Sequence, residues 1–218
     1  MKSSIFLRLG SLAFLALLNA CTTTPTHTHF DNAPIEWQEH YSLLKHVKHF
    51  QTSGKIGYIT SAERESLYFH YKKVDSHQQL TLTSFLGQTL LELSISDEGA
   101  TAKTYDDKVF TASSGNALIQ QLTGLSLPID AFSLWLLGLP NSDYQATYHD
   151  SNLLKTVVSP NSPPWKIHYL SYQNVDMSLD NPSVVESIPL PSRIKLQTID
   201  TNEQTKINIL ITSWTISK

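Results

Sequence analysis

The apolar residues of this chain follow two different periods. Between residues 37 and 50 they recur every three or four positions, with charged and amide side chains between them, which predicts an amphipathic helix starting near Pro34. The apolar positions of this helix are Trp37, Tyr41, Leu44, Val47 and Phe50. After Phe50 the period becomes two, which predicts an antiparallel meander. Its strands are predicted at residues 56–58, 67–71, 80–82, 91–95, 102–105 and 109–112.

The alternation stops between residues 114 and 140. Apolar positions before Gly124, and a second group after Pro128, predict two short helices. Strands are predicted again at residues 144–148, 153–158, 165–169, 193–199 and 206–214. The segment 176–191 holds three prolines and is predicted to be an irregular loop. The pattern therefore predicts an α+β domain whose long antiparallel sheet buries one face beneath a few helices.

The first twenty residues have the features of an export signal. Lys2 and Arg8 accompany an uncharged apolar stretch that is shorter than the roughly 20 residues of a permanent membrane-spanning helix. Residues 18–21, Leu-Asn-Ala-Cys, follow the lipobox pattern, so we expect cleavage before Cys21 and acylation of that cysteine. The alternative is an ordinary secretory signal that leaves Cys21 as a free thiol. Thr22, where Asp would favour inner-membrane retention, is typical of lipoproteins sorted to the outer membrane.

Composition narrows the function classes. Residues 34–218 suffice for a single domain, and residues 21–33, rich in Thr, Pro and His, are predicted to be a flexible tether. A net charge of -3, a pI near 6.3 and the lack of a recognised motif argue against nucleic-acid binding. Cys21 is the only cysteine, so no internal disulfide can form. No later apolar stretch is long enough to span a bilayer, so membrane attachment is expected to come from the lipid.

Signatures of catalysis are missing from the sequence. It contains no G-x-S-x-G, H-E-x-x-H, C-x-x-C or glycine-rich phosphate loop, so we expect no enzymatic activity, catalytic residue or cofactor. The nearest approach to a metal site is His27 with His29 in the tether and His46 with His49 on the first helix. Neither pair has evident further ligands, so no metal site is expected.

The turn between residues 83 and 89 is unusual. Phe85 and Leu86 stand immediately before Gly87, between two strands, where turn chemistry favours Asn, Asp, Gly or Ser. One interpretation is that the two side chains fold under the sheet and complete the core. The other is that they protrude to contact lipid or a hydrophobic partner.

Three segments resemble the LolB family, the outer-membrane lipoprotein receptors that accept lipoproteins from a periplasmic carrier. They are Ser53-Gly54-Lys55-Ile56, the turn Phe85-Leu86-Gly87-Gln88-Thr89 leading to Leu91-Glu92-Leu93, and Leu122-Thr123-Gly124 through Leu127-Pro128 to Trp135-Leu136-Leu137-Gly138-Leu139-Pro140. Weaker agreement at Trp165, Tyr169, residues 193–196 and Trp214 extends the likeness over nearly all of the mature chain. Phe85 stands where the family pattern has proline, and Asn19 is the other departure.

The resemblance implies an incomplete, half-open antiparallel β-barrel with a helical lid over an apolar cavity for lipoprotein acyl chains. It further implies a receptor at the periplasmic face of the outer membrane, whose partners are a LolA-like carrier, acylated lipoprotein cargo and outer-membrane lipid. We expect it to act as a monomer. In that family a protruding leucine before the turn glycine helps to deliver cargo into the membrane, and here that residue is Leu86, beside Phe85. The alternatives are a lipid-anchored module for another apolar ligand and a lipid-anchored hydrolase.

We expect the acyl cavity to be lined by apolar side chains of the sheet and of the two short helices, some of which simply pack. The expected set is Ile56, Tyr58, Phe69, Leu82, Leu91, Leu93, Leu118, Leu122, Phe132, Trp135 and Leu136.

Overall fold

The computed structural model describes residues 36–124, 127–160, 163–178, 185–199, 201 and 204–217. The strands in these ranges form one eleven-stranded antiparallel sheet. They are β1 His49–Ile59, β2 Arg64–Val74, β3 His77–Thr83, β4 Thr89–Ser96, β5 Gly99–Thr104, β6 Val109–Ala112, β7 Gln145–Tyr148, β8 Leu154–Val158, β9 Trp165–Ser178, β10 Val185–Thr198 and β11 Lys206–Ser217. The helices described are α1 Trp37–His46, α2 Gly115–Thr123 and α3 Phe132–Leu137, with a 3-10 turn at Ile129–Ala131 before α3.

The strand order is β6-β5-β4-β3-β2-β1-β11-β10-β9-β8-β7. Two meanders, β1 to β6 and β7 to β11, are therefore joined where the first strand pairs with the last. The outer strands β6 and β7 do not pair with each other, so the sheet is not closed. The predicted α+β class and long antiparallel sheet are confirmed. Because consecutive strands are antiparallel, the β1–β2, β3–β4 and β5–β6 turns lie at one end of the sheet, hereafter the turn end.

Gly54 lies at a close backbone approach between β1 and β11. The register shifts between Ser53 and Gly54, where β11 contributes an extra residue. A Cβ atom on Gly54 would lie 1.9 Å from the carbonyl oxygen of Leu210 and 2.9 Å from the ring of Phe69. Glycine inside a strand commonly marks such a bulge or close backbone approach.

We predict that Gly54→Ala lowers the free energy of unfolding by at least about 2 kcal/mol, because the clash is with backbone at the centre of the sheet. Gly57→Ala, in the same strand, is the matched control, since its nearest neighbours would lie 3.9 Å from the new Cβ. It should change the free energy of unfolding by less than about 1 kcal/mol. Urea unfolding of both variants measures the difference, and equal losses would contradict this account of Gly54.

The helical segment covers one face of the sheet and spans both meanders. Helix α2 contacts β4, β5 and β6, whereas α3 contacts β10. Asp130, in the 3-10 turn, connects the two helices: its carboxylate accepts the backbone N–H groups of Gly115 at 2.9 Å and Asn116 at 3.2 Å. A carboxylate at a helix N-terminus accepts hydrogen bonds from the free backbone N–H groups and interacts favourably with the positive end of the helix dipole. Ser114 adds a second cap by accepting the N–H of Ala117.

Helix α1 is shorter than predicted. It ends at His46, and Val47 already has an extended backbone. Phe50, predicted as the last apolar residue of this helix, belongs to β1 and lies between Tyr71 and Trp214, with ring centroids 5.6 Å from each. The spacing of three between Val47 and Phe50 is compatible with a helix, but Phe50 also packs into the core from a strand. Pro34, the predicted start, lies outside the described residues.

The predicted loop at 176–191 is also wrong over most of its length. β9 continues to Ser178 and β10 begins at Val185, so Pro189 and Pro191 lie within β10. Along residues 185–191 β10 pairs with β9 alone, because its pairing with β11 begins at Arg193. The other edge of residues 185–191 pairs with no described strand. Pro189 and Pro191, which have no N–H group, can face this edge without loss of an inter-strand hydrogen bond. Pro182 lies outside the described residues.

Candidate functional site

A cavity of about 450 Å³ lies between the sheet and the helical segment. Its walls are almost entirely apolar. The strands contribute Ile56, Tyr58, Glu65, Leu67, Leu80, Leu82, Leu91, Leu196, Ile207 and Ile209, the β1–β2 turn contributes Glu63, and the helical segment contributes Ile119, Thr123, Leu127, Ile129, Phe132 and Trp135. Both meanders thus supply wall residues, and most of those from the sheet lie toward the turn end.

Six of the eleven residues expected in the lining do line this cavity. They are Ile56, Tyr58, Leu82, Leu91, Phe132 and Trp135. The other five are not among the residues that line it. Phe69, Leu93, Leu118 and Leu136 are each at most 2% exposed and belong to the packed core, while Leu122 is half-buried against that core.

The division between packed core and cavity runs across the sheet. Leu93 lies two residues farther from the turn end than Leu91, and there the sheet meets Ile129 and Phe132 around a gap too small for a water molecule. The two leucines share one sheet face, so alternation alone could not separate them.

Leu196, Ile207 and Ile209 were missed for a different reason. Their own alternation was visible in the sequence, but the pairing of β11 with β1 that brings them to the cavity was not.

Much of the cavity wall is apolar surface that water still reaches. Ile56, Leu67, Leu82 and Leu91 are only half-buried, although they lie on the inward face of their strands. Covering such surface contributes about 0.8 kcal/mol per methylene group. The volume falls in the range of about 300 to 1,000 Å³ typical of ligand pockets. The cavity is therefore suited to an apolar ligand.

The polar groups of the wall lie near the turn end. Glu63 and Glu65 are exposed, and the part of the lining that the structure describes holds no lysine, arginine or histidine. Burial, and then the Glu63 carboxylate, raise the pKa of Tyr58, so its phenol stays neutral. The described lining at this end therefore carries no positive charge that would favour an anionic ligand.

The Phe85-Leu86 turn projects from the turn end. The N–H of Gly87 donates to the carbonyl of Ser84 at 3.0 Å, and the N–H of Ser84 donates to the carbonyl of Gln88 at 2.8 Å. Gly87 has φ of 82°, which glycine adopts without strain. Phe85 is 79% exposed and Leu86 is 80% exposed. The interpretation that these side chains complete the core is therefore wrong, and both protrude.

The turn and the cavity share two strands. Leu82 of β3 and Leu91 of β4 are paired across the hairpin, and both line the cavity. The next pair, Thr83 with Thr89, leads directly into the turn. This hairpin thus connects the cavity wall directly to the exposed tip.

Other polar clusters are not enclosed. Ser53 Oγ lies 2.8 Å from Nδ1 of His70, but this pair is exposed on the opposite face of the sheet. His46 and His49 lie on α1 and β1 rather than on one helix, and Nε2 of His49 lies 3.2 Å from a carboxylate oxygen of Asp75. In the described ranges no three His, Cys, Asp or Glu residues form a potential metal site. His27, His29 and Cys21 lie outside those ranges. None of the described helices is long and apolar enough to span a membrane.

We predict that Leu93→Ala lowers the free energy of unfolding by about 2 to 5 kcal/mol, because it opens a void in the packed core. Leu82→Ala should cost less than about 1.5 kcal/mol, since that side chain already faces a cavity and is half exposed. Both are leucines on the inward face of adjacent strands, so each controls for the other. Urea unfolding of the two variants gives the comparison, and a larger loss for Leu82→Ala would mean that the cavity wall is packed.

The crystal structure of a LolA superfamily protein from Nitrosomonas europaea is similar to this structure, with a TM-score of 0.50. The match covers 84% of this chain and 94% of that chain at 10% identity, which supports a common fold. The sequence relationship is more specific. The family model for outer membrane lipoprotein LolB matches residues 48–214.

Two relatives named outer-membrane lipoprotein LolB match over almost their whole length. The one from Vibrio atlanticus is 37% identical over 97% of this chain and 98% of that protein. The one from Vibrio parahaemolyticus is 38% identical over 100% of this chain and 99% of that protein. This chain belongs to the LolB family, and the resemblance based on its three motifs is confirmed.

Proposed function

We propose that this protein is an outer-membrane lipoprotein receptor. It accepts acylated lipoproteins from a LolA-like periplasmic carrier, holds their acyl chains in the cavity and passes them into the outer membrane. Membership of a family of outer-membrane lipoproteins supports this proposal. The observation that carries it is an apolar cavity lying at the same end of the sheet as an exposed apolar turn.

The physical need for such a receptor comes from the cargo. Each methylene group exposed to water costs about 0.8 kcal/mol, so several long acyl chains cannot cross an aqueous compartment unescorted at a useful rate. The half-buried leucines and isoleucines of the cavity wall offer a matching apolar surface. No bond is made or broken, so transfer runs downhill, from a weaker site on the carrier to this cavity and then to the bilayer.

In this proposal the helical segment acts as a lid. Helices α2 and α3 and the turn between them supply Ile119, Phe132 and Trp135 to the wall opposite the sheet. Asp130 holds the start of α2 against the 3-10 turn that precedes α3. Acyl chains would lie between this lid and the strands of both meanders.

Attachment to the membrane is the second part of the proposal. Residues 1–20 act as the lipoprotein signal peptide, Cys21 carries the acyl chains, and residues 21–33 form the tether to a single domain at 34–218. The signal and tether lie outside the described residues. The anchor would hold the domain at the periplasmic face of the outer membrane, within reach of both carrier and bilayer.

The main alternative is a lipid-anchored module that binds another apolar ligand in the same cavity. Such a module would need the cavity but not the exposed Phe85 and Leu86. The hydrolase alternative has less support, because the Ser53–His70 pair is exposed on the face away from the cavity.

We predict that Leu86→Glu slows transfer of lipoprotein to the outer membrane at least about tenfold, because a carboxylate is costly to place in hydrocarbon. Loading from the carrier should be unchanged, since Leu86 does not line the cavity. Leu170→Glu is the matched control: Leu170 is 60% exposed but lies in the middle of β9. Transfer from carrier–lipoprotein complexes to outer-membrane vesicles measures both steps. Unimpaired delivery by Leu86→Glu would refute the insertion role and favour the alternative module.

We predict that a Cys21→Ala form, made without acylation, still binds lipoprotein and releases it to membranes. It should be less selective for the receiving membrane, because only the anchor ties the domain to one bilayer. The measurement is the distribution of labelled lipoprotein between inner- and outer-membrane vesicles. Loss of all binding in this form would mean that the anchor takes part in the transfer itself.

A further inference from the structure

The β3–β4 and β5–β6 turns, both at the turn end, have the same pattern of backbone hydrogen bonds. In the β3–β4 turn, Ser84 donates to the carbonyl of Gln88 at 2.8 Å and accepts the N–H of Gly87 at 3.0 Å. In the β5–β6 turn, Thr104 donates to the carbonyl of Lys108 at 3.0 Å and accepts the N–H of Asp107 at 3.0 Å. The fourth residue of each turn has positive φ, 82° for Gly87 and 60° for Asp107.

This correspondence places Tyr105 at the position that Phe85 occupies in the first turn. Tyr105 is 68% exposed, and Val109, where β6 leaves the turn, is 60% exposed. A tyrosine combines an apolar ring with a hydroxyl group and is enriched where membrane meets water. The second turn therefore also presents an aromatic side chain at the turn end.

The next position distinguishes the two turns. Leu86 corresponds to Asp106, whose carboxylate pairs with Lys108 at 2.7 Å. Asp107 pairs with Lys103 at 2.8 Å. The first tip is thus apolar and suits hydrocarbon, whereas the second carries two exposed ion pairs and suits a polar layer.

Strand register sets the relative height of the two tips. Thr104 pairs with Leu91, and Leu91 pairs with Leu82, which lies two residues before Ser84, the residue that corresponds to Thr104. At about 3.3 Å per residue, the first tip projects roughly 7 Å beyond the second. The headgroup layer on each side of a bilayer is roughly 5 to 8 Å thick. When Leu86 is in hydrocarbon, Tyr105 is therefore level with the headgroups.

A polar cleft of about 150 Å³ lies beside Tyr105. It is lined by Thr89, Glu92, Lys103, Thr104, Tyr105 and Asp107. A cleft with an ammonium group, two carboxylates and three hydroxyl groups offers partners to both charges of a zwitterionic headgroup. A strongly anionic headgroup would meet more repulsion there, because the carboxylates outnumber the lysine.

We propose that the β5–β6 turn is a second membrane contact, which seats Tyr105 and the adjacent cleft among zwitterionic phospholipid headgroups and limits how deeply Leu86 enters. This proposal extends the proposed function and rests on it, because the height argument takes the Leu86 tip as the inserted one. The partner at this second contact is the surface of the bilayer that receives the cargo.

The first test measures partition of the Cys21→Ala form onto vesicles of phosphatidylethanolamine and phosphatidylcholine. Tyr105→Ser should weaken partition about threefold to tenfold, because an interfacial aromatic contact is lost. Leu170→Ser, which removes an apolar side chain of similar exposure on β9, should leave partition unchanged within about 1.5-fold. Adding anionic lipid should not strengthen binding. A marked increase with anionic lipid would overturn the choice of a zwitterionic headgroup.

The second test measures depth directly. With Cys21 replaced by Ala, single spin labels can be attached at Leu86→Cys, Tyr105→Cys and Val74→Cys, since the chain has no other cysteine. Accessibility to oxygen and to a water-soluble quencher should place the Leu86 label in hydrocarbon and the Tyr105 label roughly 7 Å shallower, at the headgroups. The Val74 label, at the opposite end of β2, should stay in water.

The outcomes separate the two proposals. If Leu86→Glu abolishes vesicle binding while Tyr105→Ser has no effect, or if the Tyr105 label stays in water, the second contact is wrong and the proposed function stands. If the Leu86 label also stays in water, the insertion role is wrong and the second contact falls with it. A Tyr105 label as deep as the Leu86 label would overturn the depth-limiting role.

Discussion

The pairing of β1 with β11 is the interaction on which the rest of this structure depends. It joins two meanders into one sheet, and Thr52 Oγ1 donates to the carbonyl of Ser213 across 161 positions of sequence at 2.8 Å. The cavity exists only because of this junction: Leu82 and Leu91 come from one side of it, and Leu196 from the other. Gly54 permits the junction, since no larger residue fits against the carbonyl of Leu210.

One part of the apolar face of the sheet packs into the core, and the other part lines the cavity. Away from the turn end the face is packed, with Leu93 1% exposed and Tyr71 1% exposed beneath Phe132. Toward the turn end similar side chains line a cavity and remain partly in contact with water. Hydrophobic surface left uncovered in this way contributes less to folding than a filled core does. The packed end must therefore supply the stability that allows the other end to remain a binding site.

Local patterns predicted much of the fold. Period-two alternation identified most of the strands, and Gly124 correctly marked the end of α2, where it adopts φ of 73°. The alternation could not say which inward residues meet a cavity, because Leu91 and Leu93 obey the same rule. It also failed where one side chain satisfied two patterns, as Phe50 did, and where pairing on one edge only made prolines acceptable, as in β10. From the residue pattern alone the exposure of Leu86 was one of two possibilities, since the choice depends on turn geometry, and only the family resemblance favoured it.

The position of β1 also determines the order in which this protein can fold. β2 can pair with β1 as soon as both are available, but the other edge of β1 waits for β11, which follows the other ten described strands in sequence. Until then β1 exposes a row of unpaired N–H and carbonyl groups beside an apolar face, a surface prone to pairing with other chains. Contacts between such distant segments also slow folding, because a long loop must close first. The unfinished sheet is thus most prone to aggregation until β11 joins it, and loss of β11 would leave two separate meanders rather than a slightly smaller sheet.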